Sequence, residues 1–274
     1  MFVKAKGFSV EEIDRFRVLQ QTCFRIQEEL GAELREGVTE KEVATELFKR
    51  YQKAGAGNFF HLPVALFGQR TGLPGRWGIG KFYPRDVKLE EGDAVILDGA
   101  PLFGGFMVDT SYSFAFGANP KHDDMMRSLL EQRPRVVDEV NRNLTFKAIA
   151  QRVADDCEAL GYAPVHEKHP GEVFGHRAVR VRGPQGWRLR GSDGVSLSWF
   201  LLKSSQAKYL PKQSPLWNRS VSSDHAPTDG LWLVEPHFSC DEFGAKWEEI
   251  LVIKDGRAEW LEDDPPHVRK WAMG

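Results

Sequence analysis

Two stretches of alternating apolar sequence each carry a matched pair of carboxylates, and this pattern constrains the chain more than any other feature. The first reads ILDGAPLFGGFMVDTSYSF and holds Asp98 and Asp109; the second reads LWLVEPHFSCDEFGAKWEEILVI and holds Glu235 and Glu248. Period-2 alternation around Gly-containing turns predicts antiparallel hairpins. Asp98 and Asp109 are symmetric about a midpoint between Phe103 and Gly104, and Glu235 and Glu248 about one between Asp241 and Glu242. In unbulged hairpins each pair would face across the strands at about 5 Å, where like charges repel. On the first hairpin the carboxylate face also carries Ala94, Ile96, Met107, Ser111 and Ser113, and the opposite face (Val95, Leu97, Val108, Tyr112, Phe114) is the more apolar. A solvated carboxylate face is therefore open there. On the second hairpin Leu231, Leu233, Ile250 and Val252 share the face of the two glutamates, which makes the stronger case for burial.

Unpaired carboxylates on a covered face are expensive, and a cation between them turns that cost into a gain. Four carboxylates can hold two divalent ions, and one imidazole would favour Mn, Fe, Co or Zn. His176, in GEVFGHRAV between the two hairpins, is the natural fifth ligand. Taken singly, each of these residues is as well read as a turn, capping or core group; the matched pairs with a histidine are harder to dismiss.

The rest of the chain reads as an α+β domain. Of 274 residues, 41% are apolar and 28% charged, and the net charge is -2, which excludes a disordered chain and argues against a nucleic-acid footprint. No membrane-spanning apolar run and no signal-type N-terminus is evident, and Cys23, Cys157 and Cys240 form no CxxC pair. A cytoplasmic protein is expected, its cysteines mostly buried filler. Ser9 with Glu12 and Thr39 with Glu42 are capping boxes opening helices, the first over 9–36. Strand character is expected over 59–67, turns over 68–87, and helices over about 122–142 and 145–160, with Thr145 as a cap. TGLPGRWGIGK reads as a turn, not a phosphate loop. Residues 183–228 have no clean period and read as an insertion or lid within a single catalytic domain.

The combined pattern resembles the pita-bread metallopeptidases: methionine aminopeptidase, aminopeptidase P, prolidase and the related creatinase. Asp98 and Asp109 have the spacing of that family's paired aspartates, KLEEGDAVILDGA resembles the approach to the first of them, VEPHF resembles the hallmark around its first Glu, and GAKWEEILVI the strand bearing its last. Counted from Gly244, the last match is Glu248 and not Glu249. The resemblance covers roughly 40–260 and implies the pita-bread fold, a curved antiparallel sheet covered by helices. It implies two divalent metal ions (Mn, Co, Fe or Zn), with Asp109 and Glu248 bridging, Asp98 completing one site, and His176 with Glu235 the other. Glu235 would also be the general base. With about 40 helical residues ahead of the catalytic region, no room is expected for the N-terminal domain of prolidases and aminopeptidase P.

Departures from the family pattern fall around the substrate. Lys81 stands where family peptidases carry a histidine ahead of the Gly-Asp strand, and RAVRVRGPQGW after His176 lacks the usual second histidine. His61, His225 and His237 are candidate substitutes, the first with a catalytic role and His237 with a substrate role. Arg180 and Lys81 are candidate contacts for a substrate carboxylate. The other arginines after His176 read as a solvated loop, and Trp187, Trp199 and Trp217 as a small local core. The function implied is a metal-dependent hydrolase in which a metal-bridged hydroxide attacks an amide or related C–N bond of a small peptide or amino-acid derivative. No nucleic-acid or membrane partner is expected, and a homodimer is compatible. Non-hydrolytic or oxidative metal chemistry on the same cage, and a catalytically silent peptide-binding module, are the two other readings.

Overall fold

The computed structural model describes residues 2–76, 78–169, 172–182 and 214–272. Its helices open where the caps predict. Val10–Glu33 is capped by Ser9 and Glu40–Lys53 by Thr39, each through a complete capping box, and Phe146–Ala159 is capped by Thr145. Among the described residues the remaining long helix is Pro120–Asn141, with Asn119 as its cap. Val10–Glu33 packs on the strand Thr110–Ala115 and Glu40–Lys53 on Val64–Phe67, while Pro120–Asn141 lies against Gly244–Lys246 and Arg257–Trp260. The helices thus cover antiparallel strands whose inner residues form one large core.

The predicted strand over 59–67 is split. Asn58–Phe59 and Val64–Phe67 belong to different sheets, and the bend between them carries His61. Val64–Phe67 pairs with Ala94–Gly99, which pairs in turn with Thr110–Ala115.

The register of the first hairpin differs from the sequence expectation. Asp98 pairs with Ser111, not Asp109, and Phe103 pairs with Phe106. The turn is therefore centred on Gly104–Gly105, which have φ of 58° and 87°. Two successive positive φ values are the mark of a type I′ hairpin turn, which Gly-Gly favours. In the second hairpin the expected register holds. Val234 pairs with Glu249 and His237 with Lys246, so Glu235 and Glu248 meet between two paired segments.

Residues 183–213 of the expected insertion lie outside the described residues, and with them Trp187 and Trp199. The rest of that segment is part of the body of the fold. Leu216–Trp217 adds a strand to Gly175–Arg177, and Trp217 is buried against Phe146 at 4.1 Å between ring centroids. Cys23 and Cys157 are buried, Cys240 is partly exposed, and all three are free.

Candidate metal centre

The two hairpins are stitched together through the small side chains of the first. Ser111 forms a bridge to Glu248 and donates from Oγ to Glu248 Oε2 at 3.2 Å. Ser113 Oγ accepts from Lys246 N at 2.9 Å and donates to Lys246 O. This closes the carboxylate face of the first hairpin against that of the second. Asp98, Asp109, Glu235 and Glu248 are all buried, and the solvated alternative for the first pair is excluded.

His176 is brought in by the strand Gly175–Arg177, where it pairs with Leu233. Gly175 permits this, since a Cβ there would lie 2.6 Å from Leu233 O. His176 Nε2 lies 3.6 Å from Asp109 Oδ2 and 3.6 Å from Glu248 Oε1, and its ring stacks on Phe60. His61 enters from the bend before Val64, with Nε2 3.3 Å from Asp109 Oδ2 and 3.4 Å from Asp98 Oδ1. The ligand atoms of His61, Asp98 and Asp109 all lie within 4.8 Å of one another, as do those of Asp109, His176 and Glu248.

Two further side chains join that the sequence reading missed. Lys246 Nζ donates to Glu235 Oε2 at 2.8 Å, Asp98 Oδ2 at 3.0 Å and Glu248 Oε2 at 3.2 Å. Strand alternation carried the signal, because Lys246 precedes Glu248 by one period and shares its face. His169 Nδ1 lies 3.9 Å from Glu235 Oε2. It arrives on the loop after a short 3-10 turn, and no local spacing announces it.

The electrostatics follow from this crowding. Burial lowers the His61 and His176 imidazoles, but for His61 the Asp109 and Asp98 charges, and for His176 Asp109 and Glu248, outweigh it and raise each to about 10. The same contacts hold Asp109 below the usual carboxylate range despite its burial. Burial, with Asp109 and Glu235 close by, pushes Glu248 up to about 8. Burial also raises Glu235, against the pull of Lys246. His169 goes the other way: burial and Lys246 lower it to about 3, so its ring is neutral.

A divalent metal fits this donor set. Asp98 Oδ1, Asp109 Oδ1 and Glu248 Oε1 are buried without a hydrogen-bond partner, and such orphaned acceptors among imidazoles ask for a cation.

The remaining candidates lie elsewhere. Lys81 is not brought to the cage; its ammonium donates to Pro74 O at 3.0 Å on the surface of its own loop. Arg180 is committed to Glu12 Oε1 at 2.7 Å and lies over the Phe106 ring, while Arg177 is buried over Trp232. His237 bonds through Nε2 to Thr71 O at 2.7 Å and packs edge-on against His169. His225 packs on Phe146 in the core. The side of the cage that solvent reaches is formed by His61, whose side chain is 20% exposed, with His169 and the partly exposed Phe82 beside it.

Comparison with known proteins bears on the family and the fold. A model of metallopeptidase family M24 matches residues 14–194, a stretch that contains Asp98, Asp109 and His176 and ends before Glu235. The chain is 24% identical over 147 residues to YkvY of Bacillus subtilis, covering 53% of this chain and 37% of that protein. It is 24% identical over 166 residues to an uncharacterized peptidase of Staphylococcus epidermidis, covering 60% and 42%. The chain thus spans about two fifths of the length of these curated relatives. Among solved structures, a dipeptidase from Pyrococcus horikoshii superposes with a TM-score of 0.68 at 15% identity, covering 93% of this chain and 61% of that one. An X-Pro aminopeptidase from Thermotoga maritima gives 0.66 at 20%, covering 95% and 63%. Methionine aminopeptidase from Rickettsia prowazekii gives 0.63 at 13%, covering 93% and 99%. The fold is the pita-bread fold expected from the sequence.

Proposed function

The chain belongs to metallopeptidase family M24, and from that premise we propose that it is a metal-dependent hydrolase of an amide or related C–N bond in a small peptide or amino-acid derivative, with aminopeptidase P or prolidase-like chemistry. One observation carries the proposal: four buried carboxylates and two imidazoles converge on one place, with orphaned acceptor atoms aimed into it. Asp98, Asp109, His176, Glu235 and Glu248 would supply the donors, and the donor set suits Mn, Co, Fe or Zn. A divalent ion held there supplies a water of lowered pKa and a Lewis acid for the scissile carbonyl.

The chain's own residues do the rest. Glu235 is the candidate proton acceptor: burial raises its affinity for a proton, and the hydrogen bond from Lys246 holds its carboxylate in place. His61 stands at the mouth, where a substrate must pass. Phe82 offers an apolar wall to the residue following or preceding the scissile bond. The free cysteines support work in the reducing cytoplasm, and no helix among the described residues is long and apolar enough to cross a membrane.

The test is hydrolysis of Xaa-Pro and Met-initiated peptides by the purified protein before and after chelation and after readdition of Mn²⁺. Activity should vanish with the metal and return with it. Asp109→Ala and Glu248→Ala should each lose both metal and turnover. Full activity in either variant overturns the assignment.

A further inference from the structure

The helix Val10–Glu33 buries two glutamines, and one of them reaches the strands of the paired aspartates. Gln27 is fully buried and lies one turn from Cys23 and from Leu30, which belong to the core. The helix covers the face of the first hairpin that points away from the cage, with Gly31 against the Phe114 ring. From there Gln27 Nε2 donates to Thr110 O at 2.8 Å and to Leu97 O at 3.2 Å. Those carbonyls immediately precede Ser111 and Asp98, which pair with each other across the strands. Thr110 also follows Asp109 directly. One carboxamide therefore ties the two strands together at the rung from which Asp98 reaches the cage and Ser111 reaches Glu248.

The hairpin needs holding at this point. Ala94–Gly99 and Thr110–Ala115 lie in one sheet, Pro101–Phe103 and Phe106–Met107 in another. The chain crosses between the sheets through Ala100 on one side and through Val108 and Asp109 on the other, so Asp109 stands outside both strands. Gln27 is also costly where it is. A carboxamide on a buried helix face loses its water, and its Oε1 has no hydrogen-bond partner among the described residues. A methionine would fill much the same space without that cost. Turning the amide round would set its oxygen against two carbonyls, so the NH2 group faces the strands.

We propose that Gln27 is a positioning residue for the metal centre: its carboxamide locks the Leu97 and Thr110 carbonyls and so sets Asp98 and Asp109 at the separation a metal ion requires. It acts through the backbone of the aspartates and is itself no ligand. The inference rests on the metal-dependent reading above and adds to it a residue of the helix Val10–Glu33.

The experiment is a Mn²⁺ titration of the full chain and two variants, with urea unfolding of each after chelation. Gln27→Met keeps the length of the side chain and removes both donated bonds. Its Mn²⁺ affinity should fall about tenfold, and the electron paramagnetic resonance spectrum of the bound ion should change, while the chelated variant still unfolds in one cooperative step. Gln20, the other buried glutamine of this helix, accepts from Ile250 N and donates to Glu262 instead. Gln20→Met should keep the wild-type Mn²⁺ affinity. Wild-type affinity in Gln27→Met, or an equal loss in Gln20→Met, would overturn the inference and leave the metal-dependent reading standing. No bound Mn²⁺ in a folded wild-type chain would overturn both. If Gln27→Met does not fold, the ¹⁵N-labelled side-chain amides of the wild-type chain decide. The Gln27 NH2 should exchange slowly with solvent and shift on addition of Zn²⁺, and fast exchange or an unmoved signal would overturn the inference.

Discussion

Glu248 and Glu249 are neighbours with opposite fates. Glu248 turns into the cage, while Glu249 points to the other face, where Arg133 donates to it at 2.7 and 3.1 Å and His267 Nε2 lies 2.9 Å away. Both are buried. Glu249→Ala should cost about 2–4 kcal/mol, because it removes the acceptor of the partly buried Arg133 guanidinium and of the fully buried His267. Its metal content should be unchanged, in contrast to Glu248→Ala; denaturant unfolding and elemental analysis check this together. Loss of metal in a stable Glu249→Ala protein would reverse the two roles. His122 illustrates a buried group outside the site. Neither ring nitrogen has a hydrogen-bond partner, and burial lowers it to about 4 from an ordinary 6.5. The unfolded chain takes up this proton near pH 6.5 and the native chain only near 4. Its contribution is therefore intact above pH 6.5 and is lost as the pH falls towards 4. His122→Phe should flatten that acid-side loss, read as a smaller difference in unfolding free energy between pH 7 and pH 4.5. An unchanged difference would mean that His122 is not buried as described.

At the scale of elements, the caps and the alternation were legible because they are local. Ser9, Thr39 and Thr145 open helices where a side-chain oxygen can meet an N3 amide, and the structure places them so. The first hairpin departs from expectation at its turn. Gly104–Gly105 is the type I′ signal, and a turn there lies one residue beyond the centre that would set the two aspartates opposite each other. Asp98 and Asp109 instead share His61. The strand Leu216–Trp217 was illegible, since two residues carry no period. Its weight lies in packing: Trp217 is fully buried, stacks on Phe146 and donates from Nε1 to Phe146 O at 2.6 Å. Trp217→Ala should cost about 3–5 kcal/mol in chemical unfolding, and a cost below about 1 kcal/mol would show that this strand does not anchor the sheet of His176.

Over the whole molecule, the candidate site is assembled from segments spread along most of the chain: the bend at His61, both strands of the first hairpin, the strand of His176, the loop of His169 and the second hairpin. Long helices on the outer faces exclude water from the strands between them, and this makes the carboxylates costly without a cation. Opposite charges therefore accumulate in the interior, from His61, His176 and Lys246.

The amino-acid order alone determined the helix starts, the register of Glu235 against Glu248, the choice of Glu248 over Glu249 and the family likeness, because each follows from periodicity or spacing within a few turns of chain. Only the folded chain decided that the first acidic face is covered, that His61 rather than Lys81 reaches the aspartates, and that an ammonium lies among the carboxylates. Those outcomes depend on which remote surfaces pack together, and desolvation, the force that gives them meaning, has no local signature in sequence.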